Sequence, residues 1–278
     1  MKWLDWIVNF AGILLWLGTR QFGVIPVSRK PALTLASNLK SLGRKGGVRR
    51  WAFPLSLFLL LVGRALFHYW FPQQFAEAAI WSSGAVAVSF RSDFFGRMLA
   101  YSFLSWLEIV LIVYVSFGFF AGLRRNDKEP DPLTLCLRSE LGMAGRWPVP
   151  LACFPFLILA GCLWMLGAGW LVDAALLPPI QSTTHRLQQA VVVALGLLPL
   201  IKWPVVALCF LRFLLDHVYL GSFPLWDYAY ETGGALCRWI PLRLGLIDFA
   251  PLVVAGIFWG FAFFLEGFLP QLFQRLPL

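Results

Sequence analysis

Two charged residues sit where an apolar helix should carry none: Glu108, near the middle of the run 98–123, and Lys202, near the middle of 190–215. A lone charge at the bilayer centre costs about 2.5–3.5 kcal/mol on insertion scales, so such residues pair or line a polar path. Their matching depth predicts a Glu108–Lys202 ion pair, with Arg64 in another apolar run as a rival partner for Glu108. Three roles are open to the pair: a salt bridge pinning helices together, a proton- or ion-coupled pathway, or a contact with another molecule. Pro199 and Pro204 flank Lys202 and loosen its backbone bonding, as either a site or a simple kink would require.

Other chemistry is poorly provided for. No H-E-x-x-H, G-x-S-x-G or P-loop sequence occurs, and no enzymatic activity is expected. The histidines, His68, His185 and His217, follow no ligand spacing. A bis-histidine haem would need two of them facing each other at one depth. Only His68 and His185 could do so, and ordinary interfacial side chains explain both. Five cysteines, an odd number without a C-x-x-C pair, argue against a disulfide framework or a zinc site. Cys153, Cys162 and Cys209 lie in apolar runs, where thiols behave as small hydrophobes. No cofactor or metal is expected.

The elements that must position these residues follow from composition. The chain is 59% hydrophobic and 13% charged over 278 residues, with mean hydropathy +0.73. Soluble domains are about 45–50% apolar and about 25% charged. The bilayer is the solvent that such a chain fits. Six apolar runs, 3–18, 53–71, 98–123, 149–172, 190–215 and 249–269, predict an all-α membrane protein of about six transmembrane helices. The first run contains Asp5 and Asn9 and is the weakest: it could span or lie in the interface. Only Lys2 precedes it and no A-x-A site follows, so it reads as an uncleaved anchor.

Charge placement predicts orientation. Lys and Arg number eight in 19–52, five in 124–148 and two in 216–247, against Lys2, Arg91, Arg186 and Arg275 in the alternate segments. The positive-inside rule then puts the basic loops in the cytoplasm and both termini outside, in a membrane of bacterial inner-membrane type. Arg44, Lys45, Arg49 and Arg50 are candidate contacts to anionic lipid, each worth about 1 kcal/mol near a charged leaflet. Topology-setting charge alone would account for them equally well. Nucleic acid is not expected, because no aromatics interleave the cations.

A shift of 92 residues lays "DPLTLCLRSELGMAGRW" (131–147) on "FPLWDYAYETGGALCRW" (223–239) without gaps. Pro132, Leu133, Gly142, Arg146 and Trp147 meet Pro224, Leu225, Gly234, Arg238 and Trp239. The apolar flanks fall nearly in the same register, which predicts a parallel duplication. Three divisions result: 1–90, an N-terminal hairpin with the basic loop; 91–180, a first repeat; and 181–278, a second. In each copy the loop has helical spacing, with Leu133, Leu137, Leu141 and Ala144 in the first and Trp226, Tyr228, Tyr230 and Trp239 as interfacial aromatics in the second. Asp248 and Pro251 open the last apolar run. The carboxylate is expected to accept free N–H groups of the first helical turn, where the proline costs nothing.

Phe223-Pro224-Leu225, Arg238-Trp239-Ile240-Pro241 and Asp248-Phe249-Ala250-Pro251-Leu252, in that order and spacing, resemble the YggT/YlmG family of membrane proteins. The resemblance covers about residues 95–270. Its first copy departs from the pattern, with Ala152 and Cys153 where an Asp would stand and Pro155 as the nearest counterpart of Pro251. The resemblance implies a small polytopic protein without known enzymatic chemistry. Relatives are associated with envelope processes or with thylakoid biogenesis, including haem attachment to cytochrome b. The expectation is therefore a non-catalytic scaffold or assembly factor acting through its cytoplasmic face. Membrane lipids and a protein on that face are the expected partners, and a homo-oligomer is compatible. A small transporter or channel built on Glu108 and Lys202, or a haem-handling assembly factor, are the alternatives.

Overall fold

Long runs of Leu, Ile, Val, Phe and Ala leave a backbone no polar partner but itself, and helices result. The computed structural model describes residues 2–21, 48–71, 79–126, 131–219, 221, 223–240, 242–244 and 247–277. Its helices are α1 (Lys2–Gln21), α2 (Val48–Trp70), α3 (Phe95–Leu123), α4 (Pro132–Leu141), α5 (Val149–Asp173), α6 (Thr183–Leu195), α7 (Lys202–His217), α8 (Pro224–Cys237) and α9 (Ala250–Gln274). Among the described residues, five helical stretches are long and apolar enough to cross a membrane: Trp51–Trp70, α3, α5, Thr183–His217 and α9. The apolar part of α1, Asp5–Gly18, is shorter. In α9 only 17% of the apolar window is buried, so most of its surface needs an apolar solvent. The protein is an all-α protein of multi-pass membrane character.

The chain forms two compact units, one of residues 1–80 and 89–109, the other of 81–88 and 110–278. In the first, α1 packs along α2, and the Ser102 hydroxyl donates to the Leu61 carbonyl at 2.9 Å. Trp16 meets Trp106 edge to face, with centroids 5.7 Å apart.

In the second unit the helices approach through small residues. A Cβ on Gly118 would lie 2.7 Å from the Ala152 carbonyl oxygen, and one on Gly122 would lie 2.7 Å from Val149 Cα. "GFFAG" (118–122) is thus a small-x-x-x-small contact that lets α3 and α5 touch at backbone distance. Further along the chain, α5 packs on α6, and α7 on both α8 and α9.

The span Thr183–His217 is not one helix. Regular α geometry ends at Leu195, a 3-10 turn covers Pro199–Ile201, and α7 starts at Lys202. Pro199 and Pro204 supply no N–H for the missing ladder bonds. Against this break rests the tip, 81–88, of a β-hairpin formed by β1 (Ala79–Ser82) and β2 (Ala87–Phe90). Gly84, at φ +67°, touches the Gly196 carbonyl so closely that a Cβ would come within 2.4 Å. Beside the tip, Trp81 stacks on Trp164 with centroids 6.5 Å apart.

A second small hairpin, β3 (Arg243–Leu244) with β4 (Ile247–Asp248), precedes α9 in antiparallel register Arg243↔Asp248. The capping residue by backbone position is Phe249, one place later than the sequence suggested, and its side chain caps nothing. Asp248 still reaches over it: Oδ1 accepts the Ala250 N–H at 3.0 Å. Pro251 lies in the first turn. Because an amide oxygen can accept the same bond, Asp248→Asn should leave the melting temperature nearly unchanged, whereas Asp248→Ala should cost about 0.5–2 kcal/mol. Equal losses in the two variants would assign the effect to charge instead.

Candidate functional site

Lys202 begins α7 in a buried position. Its ammonium donates to both oxygens of Glu266 on α9, at 2.6 and 2.7 Å. The rings of Trp203 and Trp259, packed edge to face with centroids 5.2 Å apart, lie 5.4 and 5.0 Å from the same nitrogen and give it two cation–π contacts. Lys202 thus has Glu266 as its partner, where the sequence had suggested Glu108. The physical reason is the packing of α7 on α9 in one unit. Depth in a supposed repeat cannot reveal which helix lies alongside. Glu108 is half-buried in the first unit's part of α3.

Arg64, the rival for Glu108, is also taken elsewhere. It donates to Asp5 Oδ1 at 2.9 Å, Asn9 Oδ1 at 2.8 Å and Ser105 Oγ at 3.2 Å, with its side chain fully enclosed. His68 Nε2 lies 3.1 Å from the same Asp5 oxygen, and the Tyr101 hydroxyl donates to the other at 3.2 Å. Asp5 and Asn9 on α1, Arg64 and His68 on α2, and Tyr101 and Ser105 on α3 are each four residues apart. Each pair occupies one helical face. The polar residues that made the first apolar run look weak are the counter-charge and amide of a buried arginine.

The third cluster ties the loop helices together. Arg124 is 3% exposed just beyond α3. Its guanidinium bonds to Asp131, to the Thr134 hydroxyl at 2.9 Å and to Glu231 on α8. It also lies over the Tyr228 ring at 5.8 Å. Asp131 caps α4 by accepting the Thr134 N–H at 2.8 Å. Burial works to raise the Asp131 carboxyl pKa, but the Thr134 N–H and Arg124 outweigh it and hold the group below the ordinary range. Burial pushes the Tyr228 phenol up to about 12. Arg138 donates to the Arg124 carbonyl at 2.6 Å and closes the ring of contacts. On α7, Arg212 stacks over Tyr230 at 3.4 Å and donates to its carbonyl at 2.9 Å, fixing α8 from the other side.

The positions that carried the resemblance lie on α8 and at the start of α9. Pro224 opens α8, Arg238 closes it, and Trp239 stands 88% exposed beyond it. Tyr228, expected in the headgroup zone, is instead buried beneath Arg124. Pro155, the expected counterpart of Pro251, lies inside α5 and not in its first turn as Pro251 does in α9. Arg44 and Lys45 lie outside the described residues. Arg49 and Arg50 belong to the start of α2, and their side chains lie outside the description. The two histidines considered for haem are each engaged locally, His68 by Asp5 and His185 by Gln181 and Gln189. All five cysteines are free thiols, with Cys162 exposed on α5.

No family model, curated protein or solved structure matches the chain. Removing one partner of a buried pair costs more than removing both, because a lone buried charge remains. Glu266→Gln should therefore lower thermal stability, and adding Lys202→Met should restore much of the loss. Glu108→Gln combined with Lys202→Met should be additive. Coupling between Glu108 and Lys202, without coupling to Glu266, would refute the pairing.

Proposed function

We propose that the protein is a non-catalytic integral membrane scaffold or assembly factor of YggT type, working through the face that carries α4 and α8. The observation that carries this reading is the Arg124 cluster. It joins two short helices from loops 92 residues apart in one hydrogen-bonded assembly. A connector that only links spans needs no such lock. Around the lock, Leu135, Met143, Trp147, Leu225 and Trp239 remain exposed, with Met143 at 81%. Ordered helices bearing apolar and aromatic side chains suit the headgroup zone and a protein partner seated there. The positive-inside rule makes this face cytoplasmic, and the resemblance around Pro224, Arg238 and Asp248 agrees with it.

A second reading, a small transporter or channel, is favoured by the helix break at Pro199 with Lys202 directly after it. In that reading the Lys202–Glu266 pair takes the place of the Glu108 site, and Glu266→Gln would abolish solute flux in proteoliposomes.

The scaffold reading predicts a separation of effects. Arg124→Met should raise amide hydrogen exchange in 131–141 and 224–237 while leaving the long spans protected. Trp239→Ala should leave exchange unchanged. Both variants should lose the partners crosslinked to the wild-type protein in cells. Full partner recovery by both variants would show that this face is not the working surface.

A further inference from the structure

The second unit forms a half-open cleft of about 790 Å³ among the β1–β2 tip, the loop between α5 and α6, the start of α6 and the end of α9. Small-molecule sites occupy about 300–1,000 Å³, whereas one water takes about 30 Å³. Most of the wall is apolar, with Leu177 and Phe273 on it, and the polar lining includes Gln181, His185, Gln189 and Glu266. Neither the scaffold reading nor the Arg124 cluster uses this space.

The hydrogen bonds of the polar wall define what it can receive. His185 Nδ1 accepts the Gln181 N–H at 3.3 Å. A neutral imidazole that accepts at Nδ1 carries its proton on Nε2. That Nε2 lies 3.0 Å from the Gln189 carboxamide, so the ring donates and the amide oxygen must be its acceptor. The NH2 end of Gln189 is left as a donor. The far end of this carboxamide, in a side chain 4% exposed, meets no hydrogen-bonding partner among the described residues. A buried amide group without a partner is costly, and a ligand acceptor would relieve it.

Charge narrows the class further. Among the described residues, Glu266 is the one formally charged residue on the wall, and no Lys or Arg joins it there. Lys202 neutralises the carboxylate from the α7 side, yet a carboxylate has about four lone-pair sites and can accept another donor. An anionic head would face Glu266 with no cation on the wall. A head that both gives and takes a hydrogen bond suits Glu266 and Gln189, which line the same space.

We propose that this cleft binds an amphiphile whose head is an uncharged hydroxyl and whose body is apolar. The head sits between Gln189 and Glu266, and the body lies against Leu177 and Phe273.

The test uses the full-length protein in lipid nanodiscs with two photoreactive probes of identical acyl chains, a diacylglycerol and a phosphatidic acid. The diacylglycerol probe should label peptides from 176–189 and 266–276, and unlabelled diacylglycerol should compete. Phosphatidic acid should label them weakly. Gln189→Leu should reduce labelling about tenfold, the effect of losing one hydrogen bond at a buried site. Leu177→Trp, which fills the space from a half-buried loop position, should reduce it without touching the polar wall. Equal labelling by both probes, or labelling insensitive to both variants in folded protein, would overturn the proposal. The Arg124 platform would be unaffected by that result.

Discussion

A buried guanidinium has no neutral form to retreat to, so Arg64 dictates what surrounds it. Within the first unit, three helices each present two polar residues four apart, Arg64 among them; Asp5, Asn9 and Ser105 accept from the guanidinium, and His68 and Tyr101 hold Asp5 in turn. The same constraint recurs in the second unit. Lys202 is held by Glu266 beside two tryptophans that pack edge to face, and Arg124 is held by Asp131, Thr134 and Glu231. Apolar contact alone is weakly directional between helices in lipid, because lipid tails compete for the same surfaces. Ion pairs and small-residue contacts such as Gly118 against Ala152 then select which helices are neighbours.

Much of this was legible in the sequence, and the failures have physical causes. Runs of apolar residues announced the long helices, because length and hydropathy report directly on a bilayer. The break before Lys202 was legible from Pro199 and Pro204. Asp5 and Asn9 were misread as defects in a span because hydropathy scores residues one by one. Their spacing, repeated by Arg64 with His68 and by Tyr101 with Ser105, was the available signal. The partner of Lys202 was missed for a different reason: depth along a helix says nothing about adjacency, and adjacency is set by tertiary packing. The β1–β2 hairpin was passed over because it is short, although "AVAVSF" alternates with period two after a Ser-Gly turn.

The two faces of the second unit have different chemistry. On one, Arg124 fixes two loop helices and leaves aromatics such as Trp239 exposed, a surface suited to partners. Elsewhere in the unit, the hairpin tip and the helix break border a half-open cleft lined by Glu266 and by Gln189, whose carboxamide keeps an unpartnered end. The non-helical backbone at the break is covered by protein, with Gly84 packed directly on Gly196.

The pairing of buried charge is the claim on which the rest depends, and a double-mutant cycle on Asp5 and Arg64 tests it most directly. Thermal stability would be measured in detergent for Asp5→Asn, Arg64→Met and the double variant. The account predicts that Asp5→Asn is the more damaging single change, since it strands Arg64, and that the double variant beats the additive expectation by about 0.5–3 kcal/mol. Strictly additive losses would contradict it.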